Sequence, residues 1–489
     1  MSTLDKIEAY LAQNKIDEAL RLGLDATRRP KPDEGDFYGL YIAAKRCKKT
    51  DIALAAVNNW TNMYQASGIA WHNKASILGD IGLGHQSLLA INKAIEIGLK
   101  SSDTILVKAR ALQSIGDFNK SEECYRSIIK ENANHLAALR ELSQLIWMRD
   151  QDQDGALSIF PSNLTADLAI IKSRLLGFMD RHSEALSTIQ ISARSGHGPA
   201  MCEYARCLLK LEHDQYAHDW AKAVHETMPH DKNAIDVRIE AASALGFNSE
   251  VLELAKSRII IAPEDQESIA LLATAMRLNG DENYRRIYDF EGLVRAYILP
   301  CPAGYVSLGS FLQDLKQSIL KLHGLKNHPV DQSLRYGSQT PMNLIHWDDP
   351  NLKAFYASFG TVVRQYLDDI GNGDDPVRAR NHGNYQLHSS WSVRLRSSGF
   401  HVDHIHPEGW ISSAFYLSIP DEVLDNDKKA GWLKLGQPRF KTRPSLGFES
   451  CIKPQEGLLA LFPSHMWHGT IPFTQGTDRL TIASDIIPE

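Results

Sequence analysis

The sequence predicts an α+β multidomain protein: an all-α solenoid of helical hairpins over residues 1–284, then a β-sandwich domain with supporting helices over residues 285–489. Three observations carry this. Up to about residue 280 the apolar residues recur at helical spacing with almost no alternating pattern. Within that stretch a self-similar register returns about every thirty-four positions. Beyond about residue 285 short runs rich in aromatic and β-branched residues take over, separated by Gly, Pro, Asp and Asn. A chain of 489 residues also exceeds what one hydrophobic core usually serves.

Composition narrows the function. With 43% hydrophobic and 23% charged residues the chain is ordinary for a globular protein, and a formal net charge of −6 gives no field for holding a polyanion, so nucleic acid is not expected as a partner. The opening MSTLDKIEAYLAQNKIDEAL is an amphipathic helical pattern without a signal-like apolar core, and no run approaches the length of a membrane span. The cysteines Cys47, Cys124, Cys202, Cys207, Cys301 and Cys451 are scattered without CxxC spacing, which argues against a disulfide framework and a thiolate zinc site. A cytoplasmic setting without membrane contact is the expectation.

The repeat register is explicit. Ala75, Leu78, Gly82, Ser87, Ile91 and Ala94 are followed by Ala109, Leu112, Gly116, Ser121, Tyr125 and Ile128. Small residues let paired helices approach, the glycine turns the chain between them, and the large apolar residues fill the gap to the next hairpin. The segment ALQSIGDFNKSEECYRSII resembles the tetratricopeptide repeat, with weaker copies around Ala185, Pro229 and Pro263. That resemblance implies a surface that holds a peptide or protein partner; the plainer alternative is that these helices only dimerise the chain or shield the next domain. His182, His197 and His213 stand alone here and suggest no catalytic cluster.

In the second half, SLGSFLQDLKQSILKLHG and LKAFYASFGTVVRQYLDDIG read as amphipathic helices with polar starts and glycine ends. YQLHSSWSVRLR, WISSAFYLSIP, GWLKLG, GLLALF and RLTIASDII read as strands. Such a series suggests a double-stranded β-helix, or jelly roll, with the helices packed outside.

The segment GFHVDHIHPEGWISSAFYL packs His401, Asp403, His404 and His406 into six positions at the entrance to a strand. Alternate residues of an extended chain point the same way, so either His401 with Asp403 or His404 with His406 faces a metal, and not both pairs. LFPSHMWHGTIPF then offers His465 and His468, and Arg479 follows in DRLTIASD. Two ligands from one strand end, one from a distant strand and a later arginine is the order of a facial-triad iron site. Fe(II) in such a site keeps three adjacent positions open, two for a keto acid and one for O2, while the arginine fork clamps the far carboxylate. Thr481, two strand positions on, is placed to set a hydroxyl beside that carboxylate, and Tyr416 is a further candidate to bond the keto acid.

From HPVDQSLRYGSQT through HIHPEGWISSAFYL to LFPSHMWHGTIPF and DRLTIASD, roughly residues 300–489, the chain resembles the 2-oxoglutarate and Fe(II)-dependent oxygenases that share an HxHP motif. The resemblance implies metal ligands at His404, His406 and His468, a cosubstrate arginine at Arg479, and places His465 outside the ligand set. The wider superfamily uses HxD, which His401 and Asp403 also spell, so both frames stay open. Gln339 and Thr340 fall in a loop that the resemblance sets near the pocket; Trp391 and Arg394 lie on the preceding strand, where Arg394 meets either an acidic substrate or a surface Asp. The activity implied is a dioxygenase that hydroxylates a peptide or protein side chain, or a small metabolite, with Fe(II), 2-oxoglutarate and O2, and ascorbate as an optional accessory. Two other classes compete: a non-catalytic repeat protein with a metal-binding jelly roll, and a cupin-type three-histidine dioxygenase that needs no keto acid. No GxxxxGK[ST], GxGxxG after a strand, or GxSxG is present to support a kinase, dehydrogenase or hydrolase.

Overall fold

In a computed structural model the described residues are 2–330, 332–424 and 427–489. Met1, Asp331, Asp425 and Asn426, which fall inside the ranges named above, lie outside them. From Thr3–Ala12 to Gln266–Leu278 the described chain is a series of α-helices joined by short turns, a solenoid-like all-helical region. An antiparallel sheet region with flanking helices follows. No helix among the described residues is long and apolar enough to cross a membrane.

The chain forms two compact units, Met1–Leu142 with Pro341–Trp347, and Ser143–Thr340 with Asp348–Glu489. In the first, helices start at side-chain caps such as Ser67 and Ser101, which accept the amide hydrogens of Ala70 and Thr104. The repeat register takes a specific form here. Ser87 Oγ donates to the carbonyl of Ala75 at 2.7 Å, and one repeat later Ser121 Oγ donates to the carbonyl of Ala109 at 2.8 Å. The small residues are thus a polar staple as well as a close-packing device. Gly82 and Gly116 turn the chain at φ +82° and +85°, where a side chain is strained. Asn343, from the short inserted segment, packs against Gly82 so closely that a Cβ there would lie 2.6 Å away.

The second unit holds the described strands and, apart from the short turn Leu344–His346, the helices from Gln153 onward. Its strands are β1 (Arg295–Ile298), β2 (Leu334–Gln339), β3 (Tyr385–His401), β4 (Ile411–Ser418), β5 (Leu433–Leu435), β6 (Ser450–Ile452), β7 (Leu458–Pro463), β8 (His468–Thr470) and β9 (Arg479–Pro488). Six form an antiparallel sheet in the order β1-β7-β4-β9-β3-β2, and three form a second, β6-β5-β8. Both expected helices are present, as Leu308–Leu320 and Pro350–Ile370. The longer begins at Asp349, whose carboxylate caps Asn351 and Leu352, and ends at Gly371. Its apolar stripe covers the larger sheet, Phe355 lying 4.9 Å ring to ring from Phe415 of β4. Burying such a side chain contributes about 1.5–3 kcal/mol.

Candidate metal centre

The site is built where the end of β3, the turn before β4 and the start of β8 meet. His404 and His468 face each other across an isolated antiparallel bridge, each amide donating to the other's carbonyl at 2.9 Å. Two residues on, the His406 amide donates to the Ser464 carbonyl at 3.0 Å. These backbone bonds hold three imidazoles together. Their metal-capable nitrogens all lie within 4.8 Å of one another, and His404 Nε2 is 3.2 Å from His406 Nε2.

Each ring is aimed by its other nitrogen. His404 Nδ1 is 2.9 Å from the Val402 carbonyl, His468 Nδ1 is 2.8 Å from the Met466 carbonyl, and His406 Nδ1 is 2.5 Å from Asp485 Oδ1. Carbonyl and carboxylate oxygens only accept, so these contacts assign the hydrogen to Nδ1 and leave the Nε2 lone pairs for the centre. Burial, reinforced by the neighbouring His406, pushes the His404 pKa down to about 3. Burial also carries His468 well below the usual histidine range. Neutral imidazoles are the form that binds a metal, and the donor set therefore fits a divalent ion held on one face.

His401 and Asp403 lie beside this cluster rather than in it. His401 Nδ1 contacts Ser333 Oγ at 2.9 Å, that hydroxyl lies 3.2 Å from His404 Nε2, and the His401 ring stacks on that of His404 at 5.7 Å. Asp403 Oδ2 accepts from Lys434 Nζ of β5 at 2.8 Å. Its other oxygen has no hydrogen-bond partner and points at Gly469, where an added Cβ would sit 2.7 Å away. Burial raises the Asp403 pKa against the opposing pull of Lys434.

Along β9 the alternate residues Arg479, Thr481, Ala483 and Asp485 line a cavity of ≈ 590 Å³ that also takes in the three histidines. Arg479 is only 3% exposed. Its Nη1 donates to Thr470 Oγ1 at a long 3.4 Å, its Nε has no partner, and no acidic side chain pairs with it among the described residues. The guanidinium lies 5.0 Å over the ring of Tyr416, whose hydroxyl is likewise without a partner. Burial lowers the Arg479 pKa, while Tyr416 pulls it the other way. A buried cation without a counter-charge is costly unless an anion completes it, so the pocket is suited to a carboxylate at this depth.

Other residues fall into supporting places. His465 is buried and turned away, its Nε2 3.2 Å from the Ile287 carbonyl. Arg394 pairs with Asp478 at 2.6 Å, and Thr340 Oγ1 accepts the Ser392 amide hydrogen. Gln339 lines the cavity. So does Trp391, whose ring lies 5.6 Å from His406. Sequence reasoning passed over Asp485, Ser333 and Lys434. For Asp485 a signal existed, since it continues the alternation Arg479, Thr481, Ala483; the other two come from distant segments.

Residues 389–485 match a family profile described as "Putative 2OG-Fe(II) oxygenase". No protein of curated function matches the chain at a significant level. Among solved structures, MamA residues 41 to the end from Desulfovibrio magneticus RS-1 matches with 15% identity, 32% of this chain and 88% of that one, at a TM-score of 0.30. A further MamA crystal structure matches with 16% identity, 33% of this chain and 91% of that one, at a TM-score of 0.29. Overlaps this slight bear no weight on the reading of the helical region.

Proposed function

We propose that residues 285–489 form a double-stranded β-helix (jelly-roll) domain acting as an Fe(II)- and 2-oxoglutarate-dependent oxygenase in the cytoplasm, and that residues 1–284 form a tetratricopeptide-like domain that binds a protein or peptide partner. The observation that carries the reading is Arg479: a buried guanidinium with no acidic partner among the described residues, on the same cavity wall as three imidazoles whose Nδ1 atoms are already engaged. His404, His406 and His468 would hold the iron. The frame built on His401 and Asp403 is the weaker one, because Asp403 is engaged by Lys434 and faces Gly469.

In this reading Arg479 takes the far carboxylate of 2-oxoglutarate through its fork, with Thr481 beside it and Tyr416 supporting the guanidinium from below. Asp485 keeps the Nδ1 hydrogen on His406 and fixes that ring's direction. Phe462, packed 4.7 Å from the His468 ring, and Trp391 keep the cavity wall dry around the metal. Bound iron, with the keto acid and O2, supplies the oxidising equivalent for hydroxylating a C–H bond of a side chain or small metabolite, with ascorbate as an optional accessory. The protein contributes donor geometry, the carboxylate clamp and exclusion of water.

The test needs no substrate. Fe(II) and then 2-oxoglutarate are added without oxygen, and the visible charge-transfer band of a chelated keto acid is sought. A band that is lost in His468→Ala and weakened in Arg479→Ala is expected. Iron binding without a band would instead favour the three-histidine cupin class, which the absence of a carboxylate from the cluster also fits; no iron binding at all would leave a non-catalytic interaction protein.

A further inference from the structure

Between β5 and β6 the chain makes an excursion, residues 436–449, that carries Arg439, Lys441 and Arg443. This basic loop lies against the helices, its basic side chains engaged although Lys441 and Arg443 stay about half exposed. Arg439 Nη2 lies 3.0 Å from Glu240 of the helix Lys232–Leu245 and 2.6 Å from Glu267 of the helix Gln266–Leu278. Lys441 Nζ lies 2.7 Å from Asp214, and the Arg443 amide donates to the Ser243 carbonyl at 2.9 Å. At the loop's base Arg277 donates to the carbonyls of Gly436 and Gly447, at 2.9 and 3.0 Å. With Arg443 Nη2 3.7 Å from Asp214, three basic side chains thus meet three acids of the helical region, two of which, Asp214 and Glu240, are less than one-tenth exposed.

The loop's other side belongs to the site. Arg439 lines the cavity and stands 5.5 Å over the ring of Trp467, the residue just before His468. Trp467 is fully buried and its Nε1 donates to Thr274 of the helix Gln266–Leu278 at 3.0 Å. The same helix therefore grips the residue next to the triad directly, and the cavity wall through Glu267 and Arg439. With its charge already met by two carboxylates, Arg439 is not free to serve as an anion site; its place is structural.

We infer that the helices Lys232–Leu245 and Gln266–Leu278 hold residues 436–449 as an internal ligand, and that Arg439 is a positioning residue through which the helical region sets the cavity wall beside His468. This rests on the reading of the triad as a metal centre. Partner binding then falls to other helices of the chain, because these two are occupied by the chain itself.

The experiment uses the full chain, Co(II) as the probe metal, and trypsin cleavage after Arg439 and Lys441. In Glu240→Gln/Glu267→Gln, cleavage is expected to rise about tenfold, since breaking a buried ion pair strands its partner. The visible d–d bands of Co(II) at the triad are expected to shift, with far-UV circular dichroism unchanged. Unaltered cleavage overturns the clamp, and faster cleavage with unaltered Co(II) bands overturns the positioning role. If that variant does not fold, Lys441→Ala, which frees only the tip from Asp214, carries the test: faster cleavage with a smaller band shift is expected, and wild-type behaviour in both overturns the proposal. Failure of the oxygenase reading looks different, as wild-type protein that binds Co(II) but gives no keto-acid band with Fe(II). Wild-type protein that binds no Co(II) sinks both.

Discussion

His406 illustrates how much a single contact sets. Its Nδ1 is held by Asp485, whose Oδ1 also accepts from Ser412 Oγ at 3.1 Å and whose Oδ2 accepts from Ser389 Oγ at 3.3 Å. The carboxylate is therefore fixed from both sides before it fixes the ring. Asp485→Asn is expected to weaken metal binding by about 10–100-fold while leaving the fold intact, because the carboxylate that orients a ligating imidazole also raises its basicity; titration with Co(II) measures it, and wild-type affinity would show that His406 needs no such support. At this scale the sequence is informative about which residues gather and silent about direction. HVDHIH contains two alternating pairs, and a one-residue step exchanges them. Lys434, thirty-one positions away, bonds Asp403 and draws it toward the smaller sheet. No local pattern announces a partner at that distance.

Secondary elements were legible in proportion to their length and periodicity. The five expected strands and two long helices appear as β3, β4, β5, β7, β9 and the helices Leu308–Leu320 and Pro350–Ile370. The strands β1, β6 and β8 have only four, three and three residues, and β2 is broken by a register shift beside Gly337; β5 is as short, and showed because Leu433, Lys434 and Leu435 alternate within GWLKLG. The thirty-four-residue register was legible because sterics repeat it: Gly82 and Gly116 share a left-handed φ, and Ser87 and Ser121 share a staple. Gly116 isolates the backbone effect, since an added Cβ would meet nothing within 4 Å. Gly116→Ala is expected to cost about 1–2 kcal/mol in urea denaturation, the strain of a left-handed residue. Gly177→Ala, in a helix and equally uncrowded, is expected to stabilise by up to about 1 kcal/mol. Equal effects of the two would refute the assignment of Gly116 to backbone strain.

For the molecule as a whole, the change of period at about residue 285 and the limits of the compact units are different properties. Helices from Ser143 onward fall into one unit with the strands. Within that unit run long-range ion pairs, such as Arg439 with Glu240 and Glu267, that no window of sequence reveals. His404 and His468 are paired by backbone bonds that use none of their imidazole nitrogens, so this pairing does not depend on metal ligation. The centre is unlike a zinc finger, whose fold is bought by its metal. A chelator is accordingly expected to empty the centre without melting the domain, leaving far-UV circular dichroism like that of the metal-loaded protein and a cooperative urea transition lowered only by the lost binding energy; loss of the transition would overturn this. Metal loading would then act as a reversible occupancy, able to follow the supply of the ion in its surroundings on the timescale of exchange rather than of refolding.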